Sequence, residues 1–252
     1  MSELLYGINP VSEGLQGERR QPLELLLQSG PRSPRLSELE ALAELKAIPV
    51  VFKHRADLDR LIGHSHHQGA LLRIEPYLYA DLSELVGRWR NSGRPAFFLI
   101  LDGITDPHNF GAILRSAEVA GCHGVIVAKD RACPVTSVVE KTAAGALAHL
   151  LLCQVTNLSR TMEELKQTEI WCHGLAGEEG AAELFEADLT GNLALVVGCE
   201  GKGLRPNIRK HCDGLLSIPM HGAVGSLNAS VAAGIALFEV VRQVGLTRVA
   251  QS

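Results

Sequence analysis

Aromatic residues make up only 4% of this 252-residue chain, and neither sign of charge dominates: 24 Lys and Arg stand against 28 Asp and Glu, a formal net charge of −4. The chain as a whole therefore carries no electrostatic footprint of a nucleic-acid or anionic-membrane partner. No run of 18 apolar residues occurs, which excludes an ordinary membrane-spanning helix. No charged segment leading into an apolar one opens the chain, so export is not indicated and the cytoplasm is the expected compartment. The six cysteines form no C-x-x-C pair, and free thiols are expected rather than disulfides. His64, His66 and His67 cluster in GHSHHQG without a neighbouring Cys or carboxylate pattern, which predicts a surface loop and no metal.

What is present is a globular composition, 46% apolar and 21% charged, in a chain long enough for two small domains or one large one. Up to about Tyr77 the pattern alternates. A helix is predicted over Pro10–Leu15, a strand over Leu23–Leu27, a helix with Leu36, Leu39, Leu42, Ala43 and Leu45 on its apolar side, and strands near Val50 and Leu71. A short amphipathic piece follows over 78–95 and ends in the turn formers Asn91, Ser92 and Gly93, the predicted domain boundary. Beyond it, AFFLIL (96–101), GVIVA (124–128) and LALVV (193–197) are continuous apolar runs, as expected of parallel strands covered by helices on both faces.

Two Gly-rich polar turns, GCEGKG (198–203) and HGAVGSLN (221–228), directly follow buried-type strands, where ligands bind in open α/β sheets. The first is neither a Walker A loop nor a dinucleotide fingerprint. Its glycines at 198, 201 and 203 permit φ > 0, and Glu200 can accept hydrogen bonds or a proton; a plain strand-to-helix turn explains it equally well. In the second, Ser226 and Asn228 are also ordinary helix-capping residues. A third segment, DPHNFGAILRSAEVAG (106–121), reads as a helix capped by Asn109 and closed at Gly121, with Arg115 on it. Basic residues gather at Lys202, Arg205, Arg209 and Lys210 and at Arg19, Arg20, Arg32 and Arg35, either as phosphate contacts or as solvated faces.

Taken in order, NFGAILR, GCEGKG and IPMHGAVGSLNASVAAGIALFE resemble the three signature motifs of the SpoU/TrmH family, S-adenosylmethionine-dependent RNA ribose 2′-O-methyltransferases of the SPOUT superfamily. The resemblance spans residues 96–244. LLYGINPVSEGL and HHQGALLRI are similar to the RNA-binding extension, itself like ribosomal protein L30e, of bacterial members that methylate a guanosine ribose in the peptidyl-transferase region of 23S rRNA. The resemblance implies an α/β protein: an L30e-like domain over 1–77, a linker over 78–95, and over 96–252 a SPOUT-type parallel sheet with a C-terminal trefoil knot. No periodicity in the sequence points to a knot.

By the same resemblance the enzyme is a homodimer, its cofactor is S-adenosylmethionine and its substrate is 23S rRNA or a large-subunit precursor. Asn109, Arg115, Glu200, Ser226 and Asn228 are the implied catalytic group, and Gly198, Ile218 and Leu227 the implied cofactor contacts. Gly225 stands where relatives often carry serine. A guanidinium keeps its proton at neutral pH, so Arg115 is read as a clamp on phosphate and developing alkoxide, with a phosphate oxygen, Glu200 or water taking the proton. The alternatives are a tRNA ribose methyltransferase, against which the N-terminal extension argues, and a non-catalytic assembly factor, against which the complete catalytic set argues.

Overall fold

A computed structural model describes residues 2–16, 20–31, 33–177 and 180–250, with 246–250 described by backbone alone. In chain order the elements are β1 (Glu3–Tyr6), α1 (Ile8–Gln16), β2 (Pro22–Gln28), α2 (Pro34–Leu45), β3 (Val50–Lys53), α3 (Arg55–Ile62), β4 (Ala70–Ile74), α4 (Leu82–Arg90), β5 (Phe97–Asp102) and α5 (Pro107–Val119). There follow β6 (Gly124–Ala128), α6 (Ser137–Ala143), α7 (Ala146–His149), β7 (Leu151–Val155), α8 (Leu158–Lys166), β8 (Trp171–Leu175), β9 (Ala182–Glu183), β10 (Leu193–Gly198), α9 (Pro206–Lys210), β11 (Gly214–Ser217) and α10 (Ala229–Ala250). The chain forms two compact units, Met1–Leu78 with Val135–Ala148, and Tyr79–Pro134 with His149–Ser252.

The first unit is a four-stranded sheet in the order β1-β4-β2-β3, antiparallel except for the β2/β3 pair. Leu25 and Leu27 of β2 point to one face with Leu36, Leu39 and Ala43 of α2, while Leu26 points to the other with Leu58 of α3, so the period of two divides one apolar strand between two small cores. Leu45, counted on the apolar side of α2, is 84% exposed. At about 100° per residue it lies roughly opposite Leu36. His67 is fully buried: its Nδ1 accepts from the Gly69 N–H at 2.9 Å and its Nε2 meets Asp59 at 3.0 Å. Among the described residues no three His, Cys, Asp or Glu side chains gather as a metal ion needs.

Arg20, grouped in the sequence with phosphate contacts, is 5% exposed and bound internally. It donates to the Glu75 carbonyl at 2.8 Å, to Glu140 at 2.5 Å and to Glu3. A buried guanidinium needs partners for its fork of donors, and these take them. Arg19 and Arg32 lie outside the described residues, and Arg35 is exposed at the start of α2.

Burial pushes the Glu140 carboxyl up to about 6, against the opposing pull of Arg20. Between the ordinary 4.5 and about 6 the folded protein holds this proton and the unfolded chain does not, so Glu140's contribution to stability falls as pH rises through that window. Glu140→Gln, which cannot ionise, should therefore gain about 2 kcal/mol on the parent between pH 4.5 and pH 7. Urea unfolding of both proteins at the two pH values checks this, and a difference independent of pH refutes it.

The second unit is a seven-stranded sheet, parallel throughout, in the order β7-β6-β5-β10-β8-β11-β9. Every residue of β5, β6 and β10 is buried, as continuous apolar runs covered on both faces require. The order of connection reverses beside β5. The chain runs outward through β6 and β7, returns to β8 on the far side, and then inserts β10 between β5 and β8. In open parallel sheets such a switch point opens a crevice at the strands' C-terminal ends.

The residues read as a linker belong to this unit. Leu85 of α4 is fully buried in its core beside Phe98 and Ile126, and Ser92, in the turn taken as the domain boundary, meets the Nε2 of buried His123 at 2.9 Å. Asn91 and Gly93 end α4 rather than a domain, and the division falls between Leu78 and Tyr79.

Candidate active site

Asp102 ends β5, Gly198 ends β10, and the loops that follow face one another across the switch point. The loop 199–203 folds back on its own strand: a Cβ on Gly198 would lie 2.2 Å from the backbone carbon of Gly203, so only glycine permits this close return. Gly201 and Gly203 hold φ of +74° and +61°, which a side chain would strain. The turn thus lifts Glu200 off the sheet edge into solvent.

The loop's exit is fixed by a buried charge that sequence spacing does not reveal. Asp102 is fully buried and accepts from the backbone N of Arg205 at 2.8 Å and from its guanidinium Nε at 2.5 Å. Arg205, one of the basic cluster, is therefore engaged in an ion pair that pins the start of α9.

Asn109 is not the helix cap expected. Asp106 caps α5, its Oδ1 accepting from the Asn109 N–H at 2.7 Å, and Pro107 occupies the first helical position, where its missing donor costs nothing. Asn109 enters the first turn with its side chain free to reach the neighbouring loops. Its Nδ2 donates to Glu200 Oε1 at 2.8 Å, and its Oδ1 accepts from Asn228 Nδ2 at 2.9 Å. Asn228 Nδ2 also donates to Glu200 Oε1, as does the Ala229 N–H at 3.3 Å.

The two readings of Asn228 are both realised in one side chain. Its Oδ1 accepts from the N–H groups of Ser230 and Val231 at 2.9 and 3.3 Å, capping α10, while its amide joins the site. Glu200 therefore ties three segments together through one oxygen, and among the described residues nothing donates to its Oε2.

Two cavities meet here. One, of about 280 Å³, is lined by Gly198, Ile218, Ser226 and Leu227 among others, with Leu175 and Met220 adding apolar wall. The other, of about 260 Å³, is lined by Thr105, Asp106, Asn109 and Glu200. Glu200 borders both. Of the eight residues singled out in sequence, Asn109, Glu200 and Asn228 form one hydrogen-bonded group, and Ser226, Gly198, Ile218 and Leu227 line the adjoining cavity. Arg115, exposed on α5, borders neither.

The 280 Å³ cavity fits S-adenosylmethionine in kind: aliphatic walls for a purine, a doubled-back loop offering peptide groups, and strand ends beneath. Its neighbour, ringed by hydroxyl, amide and carboxyl groups, suits a ribose hydroxyl.

The SpoU rRNA Methylase family matches residues 96–238, and the family described as RNA 2′-O ribose methyltransferase substrate binding matches residues 4–80. The chain is 44% identical over 246 residues to the 23S rRNA (guanosine-2′-O-)-methyltransferase RlmB of Escherichia coli (strain K12), covering 96% of this chain and 99% of that protein. It is 43% identical to RlmB of Yersinia pestis, covering 98% and 99%. Among solved structures, the SpoU methyltransferase AviRb from Streptomyces viridochromogenes in complex with AdoMet superposes with a TM-score of 0.79 at 29% identity, covering 96% of this chain and 90% of that one. With a family match over more than half its length, on the segment that builds the sheet and both cavities, this chain belongs to the SpoU rRNA methylase family.

Proposed function

We propose that this protein transfers a methyl group from S-adenosylmethionine to the 2′-hydroxyl of a guanosine in the peptidyl-transferase region of 23S rRNA. The observation that carries the reading is Glu200: held by Asn109 and Asn228, it borders both the apolar cavity that fits the cofactor and the polar cavity that suits a ribose. RlmB relatives of nearly the same length, and the presence of both matched segments, favour rRNA over tRNA.

When bound, S-adenosylmethionine supplies the electrophilic methyl group. Gly198, Ile218 and Leu227 would hold it, chiefly through backbone groups and aliphatic contact, with Ser226 lining the same cavity. Asn109 and Asn228 fix Glu200 and orient the ribose, since in-line attack by a weakly acidic alcohol depends on placement and on removal of its proton. Arg115 clamps the adjacent phosphate as a planar, permanently charged fork. The proton passes to Glu200, a phosphate oxygen or water.

The active species in this reading is a homodimer in the cytoplasm. Val231, Phe238 and Val241 are 49%, 47% and 38% exposed and fall on one stripe of α10, an apolar face suited to a second copy. The first unit, residues 1–78 with 135–148, is an L30e-like RNA-binding domain, and the second, 79–134 with 149–252, is the methyltransferase. The insertion of β10 between two strands already present supports a trefoil-knotted C-terminal segment.

Incubation with S-adenosylmethionine and 23S rRNA from cells lacking the gene, followed by mass spectrometry of the digested RNA, tests the reading. One new 2′-O-methylguanosine in 23S rRNA is expected. Methylation of tRNA alone would move the assignment to the tRNA branch, and no transfer to either RNA would overturn it. Light scattering should give twice the chain mass, and the chain mass itself would refute the dimer.

A further inference from the structure

Lys202 borders three cavities at once. It lines the apolar one, the polar one beside Glu200 and Asn109, and a third of about 700 Å³ that runs on past Arg209 and Lys210. The Gly201 and Gly203 conformations on either side set its place, and it is exposed. Among the described residues its ammonium group makes no hydrogen bond or ion pair.

Lys202, Arg209 and Lys210 line the third cavity. Among the described residues its one acidic lining residue, Asp213, is already paired with Lys166 at 3.1 Å and accepts the Cys172 N–H at 2.7 Å. Arg209 and Lys210 stand in the last turn of α9, where the helix dipole alone favours cations. No such local reason applies to Lys202.

We infer that Lys202 is a positioning residue that holds the phosphodiester next to the target ribose, and that the groove past Arg209 and Lys210 carries the same RNA strand away from the site. The inference rests on the reading of RNA as substrate and adds the strand's path. The continuity of cations from the polar cavity into the groove favours a polyanion over the single carboxylate of an amino-acid cofactor, which would neutralise only one of them. A chain with no net positive charge binds a polyanion by concentrating cations locally.

Lys202→Ala, Lys202→Arg and Lys210→Ala are compared with the parent as full-length proteins, using transcribed 23S rRNA at several salt concentrations. Lys202→Ala should raise KM for RNA roughly tenfold with kcat within about twofold, leave S-adenosylmethionine affinity unchanged, and lower the salt slope of log KM by about 0.7–0.9, the loss of one phosphate contact. Lys202→Arg should restore most of the affinity and the slope, and Lys210→Ala should repeat the pattern more weakly. Parent-like KM and salt slope in Lys202→Ala would overturn the inference. So would weakened S-adenosylmethionine binding with an unchanged KM for RNA, which would assign the ammonium group to the cofactor's carboxylate. A parent protein inert toward RNA would instead overturn the functional reading beneath it.

Discussion

Glu200→Ala is expected to slow methyl transfer by about 100-fold or more while S-adenosylmethionine binding stays near that of the parent. One carboxyl oxygen, Oε1, receives the amides of Asn109 and Asn228 and the Ala229 N–H, so truncation releases all three from the geometry in which a ribose must be held. The apolar cavity keeps its aliphatic walls and its glycine loop. Glu200→Gln separates holding from proton transfer, because the amide oxygen can still accept from the same donors but the group is a poor base. Recovery of most activity in Glu200→Gln assigns Glu200 to holding and sends the proton to phosphate or water. A Gln variant as slow as Ala assigns it the proton. Single-turnover transfer of tritiated methyl measures both, and a parent-like rate in Glu200→Ala removes Glu200 from the site.

Asp102→Ala should lower the unfolding free energy by about 3–5 kcal/mol, the usual cost of deleting one partner of a buried ion pair. The carboxylate is fully buried and accepts both the backbone N–H and the guanidinium of Arg205; without it both donors lose their acceptor and the start of α9 loses its anchor. For a domain of this size that corresponds to a fall in Tm of roughly 10 °C or more. The same loss should weaken S-adenosylmethionine binding, because the loop pinned at Arg205 forms one side of the apolar cavity proposed for the cofactor. Calorimetry with and without S-adenosylmethionine reads both effects. A variant within 1 °C of the parent would show that the pair contributes nothing to folding.

Local pattern carried the buried strands. β5, β6 and β10 are legible because helices on both faces demand apolar residues at every position. β8, WCHGL, passes unnoticed because its first residue is exposed and a histidine and a glycine interrupt it. The α5 cap was misplaced by three residues, although Asp106 followed by Pro107 is the stronger start signal. The site's turns were legible because their glycines and polar side chains lie close in sequence and match family motifs.

Long-range pairs of charge were not legible. Arg205 and Asp102 are 103 positions apart, and Arg20 and Glu140 are 120. A count of nearby lysines and arginines places both arginines on a solvated, phosphate-ready surface. Only the folded chain shows that each neutralises a carboxylate removed from water, which leaves Lys202 and Lys210 with the charge those counts had shared among more residues.

The first unit is completed by Val135–Ala148, more than fifty residues after the end of its own sheet, and α6 packs on β1 and α1 while Glu140 meets Arg20. During synthesis the amino-terminal sheet therefore waits: at about 5–20 residues per second, several seconds separate the emergence of β4 from that of the segment that supplies a carboxylate to Arg20. Until then that arginine has lost one of its two acidic partners, and β5 and β6 of the other unit leave the ribosome in the interval. The order of translation thus interleaves the two units, and an early stop codon between them yields no finished amino-terminal domain.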